Sequence, residues 1–205
     1  MRNKMYALLE NRHIYNLTQA VLAPHAVKNL RSRLALYLRF DTDRILRVLE
    51  LGCGTGDFSL DLPNVRYSGT DINPRYFPSQ TNSPRMSYEV MDATRLTFPD
   101  SSFDLVYSVG LYHHLSDEQV ECSLREADRV LAAGGKFLLV DNIWPTQAWN
   151  VWARWIRRYD RGEHVRTQRE IEELVAASGL IANSVESFRY TWTGLEGIIV
   201  QVCKD

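Results

Sequence analysis

The sequence predicts an α/β fold whose mostly parallel sheet is covered on both faces, and three observations carry that expectation. Short runs of branched apolar residues alternate with stretches of helical periodicity through the first 140 residues. The first of these runs, Val48-Leu49 with Leu51, leads straight into three glycines at alternate positions, Gly52, Gly54 and Gly56. Carboxylates then stand at the ends of later runs: Asp71 after the second, Asp92 after the third and Asp141 after the fifth. Such a sheet collects its ligands at the C-terminal ends of its strands, so the glycines and carboxylates mark one edge as the working edge.

The elements follow in order. Residues 1–40 read as helical, with Leu8, Leu9, Ile14, Leu17, Val21 and Leu22 at helical spacing. Pro24 breaks that run, and Leu30, Leu34 and Leu38 continue at i, i+4 and i+8. After the first strand and its glycines, a helix is expected from about Asp57 to Leu62, its N-terminal amides facing a ligand. A second strand runs from Val65 to Thr70. Residues 73–85 hold Pro74, Pro78 and Pro84 and read as a loop. Strands are expected at Met86–Met91 and Phe103–Val109. The clearest helix is Asp117–Leu131, with Ser116 as N-cap, acidic first turns and Gly134-Gly135 ending it. A fifth strand covers Lys136–Val140, and Thr167 caps a helix that carries Ile171, Leu174 and Val175 to Gly179. Strands near 181–191 and 197–203 close the chain.

Composition narrows the function classes. The chain has 205 residues, 45% of them hydrophobic and 24% charged, which suits one sizeable domain with a full core. A net charge of -1 argues against a nucleic-acid-coating protein. Cys53, Cys122 and Cys203 are scattered and odd in number, pointing to a reducing compartment and no metal site. The first residues, MRNKMYALLENRH, lack the apolar core of a signal peptide, and no apolar run reaches membrane-span length. A cytoplasmic location without membrane insertion is therefore expected; oligomeric state is not readable.

The stretch ELGCGTG, Glu50 to Gly56, resembles the first motif of the class I S-adenosylmethionine-dependent methyltransferases, an acidic residue followed by x and G-x-G-x-G. It lacks the G-x-G-x-x-G spacing of dinucleotide-binding folds and the Gly-Lys-Ser/Thr of phosphate loops. LTFPDSSFD before the fourth strand, and ADRVLAAGGK before the fifth, are also reminiscent of that family, closest to its small "type 11" or ubiquinone-biosynthesis-like group. The resemblance implies a Rossmann-like, seven-stranded sheet with an antiparallel C-terminal strand and N-terminal helices over the cofactor pocket. It also implies a layout of 1–40 as helical segment, 45–141 as cofactor-binding core, 142–180 as lid and acceptor helices, and 181–205 as hairpin.

The same resemblance implies the site. Gly52, Gly54 and Gly56 admit the methionine part of S-adenosylmethionine, with Glu50, Cys53, Ile72 and Ser108 as further cofactor contacts. Asp71 holds the ribose, where one carboxylate supplies two acceptors for two vicinal hydroxyls. Asp92 meets the adenine amino group and the Ala93 backbone a ring nitrogen. Among the paired histidines, His113 is the first choice for the group that takes a proton from the acceptor, with His114 as the other candidate and Asp141 assisting. Tyr15 resembles a tyrosine that closes on the site. Trp144 and Trp149, in the Trp- and Arg-rich stretch 144–161, have three readings: an acceptor wall, a membrane-surface contact, or a core-facing amphipathic helix with a solvated basic side. The expected activity is methyl transfer to a small molecule, with a hydroxyl as acceptor. Two alternatives stay open: a nicotinamide-dependent oxidoreductase, and a non-catalytic methyltransferase-like partner protein.

Overall fold

The computed structural model describes residues 30–32, 34, 44–78, 83–147, 149–158, 162–189 and 194–204. Seven strands form one sheet: β1 (Leu46–Leu51), β2 (Val65–Asp71), β3 (Met86–Val90), β4 (Phe103–Val109), β5 (Leu131–Ile143), β6 (Ala182–Arg189) and β7 (Glu196–Cys203). Their spatial order is β3-β2-β1-β4-β5-β7-β6. β1 to β5 pair in parallel, and β7 runs antiparallel between β5 and β6. The chain reverses direction in strand order beside β1 and β4, and this reversal opens the crevice where an open α/β sheet binds ligands.

Alternation along the strands gives the sheet two different faces. On one, Leu49, Leu51, Val106, Phe137, Leu139 and Val200 pack beneath α1 (Asp117–Val130) and α3 (Gln168–Ala177). Both helices begin with a full capping box, Ser116 with Gln119 and Thr167 with Glu170, each satisfying otherwise orphaned amides. On the other face, Val48, Tyr67, Leu105, Tyr107, Leu138 and Val140 pack against Leu30 and Leu34, whose helical residues are the described part of the N-terminal segment. Phe58 and Leu60 complete the cover there. A third helix, α2 (Val151–Arg157), follows β5.

Two expected elements differ. No helix forms at Asp57–Leu62; Asp57 and Phe58 lie in a turn and 59–62 are irregular chain. Pro63 disfavours the helical region at Leu62, which leaves fewer than two turns, Asp57 to Asp61, for a helix to nucleate in. The β2–β3 connection, expected as a loop, holds a 3-10 turn at Pro74–Tyr76 among its described residues. Gly134 and Gly135 do not end a helix either. α1 stops at Val130, Leu131 turns extended, and the glycines lie within β5. The end of the chain recruits them: the Gly134 amide donates to Lys204 O at 2.8 Å and the Lys204 amide to Gly135 O at 3.0 Å.

Candidate functional site

The site is assembled at the C-terminal ends of β1, β2, β4 and β5 and just beyond the end of β3. After β1 the chain bends through Gly52, Gly54 and Gly56, with φ of 68°, 50° and 76°. Side-chain-bearing residues rarely adopt that conformation. A Cβ on Gly52 would lie 2.9 Å from Leu111, so its absence lets the loop after β4 close on this one. A Cβ on Gly54 would meet nothing within 4 Å. The loop thus presents bare backbone to an open notch.

Asp71 forms one wall. Its Oδ2 accepts the Gly54 amide at 3.0 Å and its Oδ1 the Asn73 amide at 2.8 Å. Each oxygen keeps a second lone pair, so the carboxylate can brace the loop and still receive two hydroxyls. Ile72 beside it is 71% exposed, a flat apolar surface at the mouth. Asp92 is exposed, and its Oδ1 accepts from both the amide and the hydroxyl of Thr94 at 2.8 Å. Its Oδ2 takes no protein partner among the described residues.

Glu50, Cys53 and Ser108, expected as cofactor contacts, have buried side chains. They are 1%, 5% and 0% exposed. Glu50 alternates with Leu49 and Leu51 and so points to the opposite sheet face from them, where Tyr67 donates to its Oε2 and the Tyr107 hydroxyl lies 2.9 Å from it within hydrogen-bond reach. Burial raises its pKa to about 7 against the lowering by those bonds. The Cys53 thiol is pushed far up by burial and by nearby Glu50 and Asp71, which makes it inert.

His113 and Asp141 are brought together. Nδ1 of His113 lies 2.5 Å from Asp141 Oδ1. Asp141 also accepts the His113 amide at 3.0 Å and the Asn142 amide at 2.6 Å. Burial raises the pKa of Asp141, yet the charge and hydrogen bonds of His113 and the two amides outweigh it and hold the carboxyl below its ordinary value. With Asp141 ionised, His113 Nδ1 is the protonated nitrogen that donates to it. The ring is covered closely: a Cβ on Gly162 would fall 2.0 Å from His113 Cδ2. His114, by contrast, is exposed, with its ring centroid 4.1 Å from that of His113.

Sequence reasoning missed the groups that hold this turn. Arg166 is 7% exposed and donates to Tyr112 O at 2.8 Å, Leu115 O at 2.7 Å and Asp117 Oδ1 at 2.6 Å, clamping the 3-10 turn that carries both histidines. Nothing in its surroundings along the chain distinguishes it from a solvated arginine. A small cavity lies between α1 and α3 beside the dyad, lined by Tyr112, His113, Asp141, His164, Arg166 and Leu174 among others; no glycine-loop residue borders it.

The tryptophans reverse one expected reading. Trp149, Trp152 and Trp155 are 73%, 56% and 52% exposed, whereas Ala153 and Arg157 of α2 are buried. Arg157 is drawn inward because Glu196 O and Asn142 Oδ1 accept from it at 2.8 Å and 2.9 Å. A core-facing tryptophan stripe is thereby excluded. Trp144 is half-buried with Arg154 over its ring at 5.7 Å. Tyr15 lies outside the described residues. No cluster of metal-binding side chains occurs among the described residues, and none of their helices is long and apolar enough to cross a membrane.

Comparison with known proteins agrees with this geometry. A family model described as a methyltransferase domain matches residues 48–135. The demethylmenaquinone methyltransferase of Deinococcus radiodurans is 31% identical over 147 residues, 67% of this chain and 58% of that protein. The 27-O-demethylrifamycin SV methyltransferase of Amycolatopsis mediterranei is 32% identical over 106 residues, 46% of this chain and 38% of that one. The chain spans less than two thirds of the length of these curated relatives. Among solved structures, the methyltransferase in complex with the Haloferax volcanii Trm112 activator superposes with a TM-score of 0.72 at 19% identity, covering 97% of both chains. The geranyl diphosphate C-methyltransferase of Streptomyces coelicolor gives 0.63 at 12% identity, covering 87% of this chain and 80% of that one. By its matched domain and by its sheet order with the antiparallel seventh strand, the chain belongs to the class I S-adenosylmethionine-dependent methyltransferases.

Proposed function

We propose that this chain binds S-adenosylmethionine in the notch beside Gly54 and transfers its methyl group to a hydroxyl of a small molecule. The observation that carries the reading is the bare backbone of the glycine loop, braced by an Asp71 carboxylate that keeps a lone pair on each oxygen. The residues fit the cofactor: Asp71 for the ribose hydroxyls, Ile72 against the adenine face, Asp92 Oδ2 and the Ala93 backbone for its edge. When bound, the cofactor supplies a methyl group on a positively charged sulfur, already a strong electrophile. The protein then mainly has to align the acceptor and accept its proton.

His113 suits the second task. Asp141 holds its ring by Nδ1 and stabilises the cation that proton uptake creates. Trp144 and the exposed Trp149 offer aromatic surface for the acceptor, within a lid formed by 142–180. The names of the relatives span a rifamycin oxygen, demethylmenaquinone and, in Ajmaline N-methyltransferase of Rauvolfia serpentina, a nitrogen. The hydroxyl is favoured here because the His113–Asp141 pair is built to remove a proton.

Calorimetric titration with S-adenosylhomocysteine, with NADH and Asp71→Ala as controls, tests the cofactor. Micromolar binding that the variant loses is expected, and binding of NADH alone would overturn the reading. Turnover of a hydroxylated acceptor by wild type and not by His113→Ala tests the base.

A further inference from the structure

We propose that Glu50 works as a neutral carboxylic acid, the central link of a one-directional hydrogen-bond chain that holds the glycine loop from behind, and that ionising it weakens cofactor binding. The inference deepens the cofactor reading above and concerns a residue that offers no surface to a ligand. It rests on counting protons. Tyr107 has one hydroxyl hydrogen and two neighbours placed to receive it, Phe58 O at 2.8 Å and Glu50 Oε2 at 2.9 Å. A backbone carbonyl can only accept. If that hydrogen serves Phe58, the contact with Glu50 is a hydrogen bond only when Glu50 carries the proton and donates it to Tyr107.

The rest of the chain runs the same way. Tyr67 donates to Glu50, so Ser59 Oγ, 3.2 Å away, must donate to Tyr67. Tyr88, 2.8 Å from Ser59, then donates to Ser59. Every hydroxyl from Tyr88 through Ser59, Tyr67, Glu50 and Tyr107 to Phe58 O gives one hydrogen bond and receives one, Tyr88 at the outer end excepted. Both ends grip the loop exit. Phe58 and Ser59 follow the glycines directly, the Ser59 amide donates to Gly56 O at 3.2 Å, and a Cβ on Gly56 would sit 3.0 Å from Ser59 Oγ and 3.1 Å from Tyr88 Oη. An ionised Glu50 would claim the Tyr107 hydrogen and leave Phe58 O without its donor, in a segment with no helix to hold it.

The charged and titratable groups around Glu50 agree. Tyr67 of β2 and Tyr107 of β4 stay protonated, their pKa values raised by burial and by Glu50. Cys53 in the loop is raised as well. Asp57 disfavours ionisation of Glu50, while Arg31, a cation of the described N-terminal residues, favours it weakly and donates its Nε to Asp57 O at 2.6 Å. Tyr88 stands at the outer end of the chain.

Glu50→Gln supplies a permanent N–H donor towards Tyr107 and cannot ionise; Glu50→Ala removes the link. The infrared difference spectrum of wild type minus Glu50→Gln, without ligand and about two pH units below the ionisation of Glu50, is expected to show a protonated-carboxyl C=O band. Bands of a carboxylate alone would overturn the proposal, whether or not the protein binds the cofactor. Affinity for S-adenosylhomocysteine in wild type is expected to fall about tenfold on raising the pH through that ionisation, while Glu50→Gln binds as tightly as wild type at the lower pH and keeps its affinity throughout. A flat wild-type profile, or a Glu50→Gln variant as weak as Glu50→Ala, would contradict it.

Discussion

Two of the buried carboxyl groups in this sheet, Asp141 and Glu50, lie on opposite faces, and their surroundings drive their ionisation in opposite directions. Asp141 projects to the face under α1 and α3, where two backbone amides and an imidazole converge on it. Glu50 projects to the face under Leu30 and Leu34, where its partners are two phenols that stay protonated. Burial acts on both in the same direction. Donors that can also carry positive charge overcome it at Asp141; neutral hydroxyls do not at Glu50. Depth in the sheet therefore does not decide ionisation here; the chemistry of the surrounding donors does. In the proposed mechanism both outcomes have a use: a carboxylate to orient a base, and a neutral acid to tie a loop that has no helix behind it.

The largest expected effect comes from removing the ionised member. Asp141→Ala leaves two buried amides and an imidazole without their acceptor and should cost about 3–5 kcal/mol, read as a lower denaturant midpoint. Gly162→Ala attacks the same centre from outside. The new methyl group overlaps the His113 ring, so turnover should fall at least about a hundredfold while S-adenosylhomocysteine affinity changes little.

The pH dependence of stability separates the two carboxyls. The folded pKa of Glu50 lies above its ordinary value of 4.5, so its contribution is fully present below that value and is lost as the pH rises to about 7. The loss amounts to about 3 kcal/mol, and Glu50→Gln should flatten it. Asp141 behaves in the opposite sense: its contribution is present above 3.8 and is lost as the pH falls through its lowered folded value. Denaturant midpoints across the pH range check both slopes. The smallest effect is expected at Ile72→Ala, where the side chain is open to solvent: stability within about 0.5 kcal/mol of wild type, with a few-fold loss of S-adenosylhomocysteine affinity.

What could be read beforehand follows the same division. Gly52, Gly54 and Gly56 were legible because positive φ leaves a direct mark on residue choice, and Asp71 because a strand end fixes where its carboxylate stands. The seven-stranded sheet with its antiparallel C-terminal strand followed from the family resemblance. The partners of Glu50 were not legible, because Tyr67 and Tyr107 come from two other strands and only pairing register brings them to it. Arg166 and Gly162 were invisible for a similar reason, acting on a turn far from them in sequence. The helix expected at Asp57–Leu62 failed on length, which periodicity does not weigh. The tryptophans of α2 failed because Arg157 found buried acceptors and turned the helix the other way.

The most direct test of the two-state comparison is a carbon-13 NMR titration of side-chain carboxyls, with Glu50→Gln and Asp141→Asn for assignment. The account predicts one glutamate carbon titrating near pH 7, absent in the first variant, and an aspartate carbon that stays in its ionised position throughout the same range. If Glu50 instead titrates with the exposed carboxylates, or Asp141 takes up its proton near neutrality, the donor chemistry around them does not govern their charge and the account is contradicted.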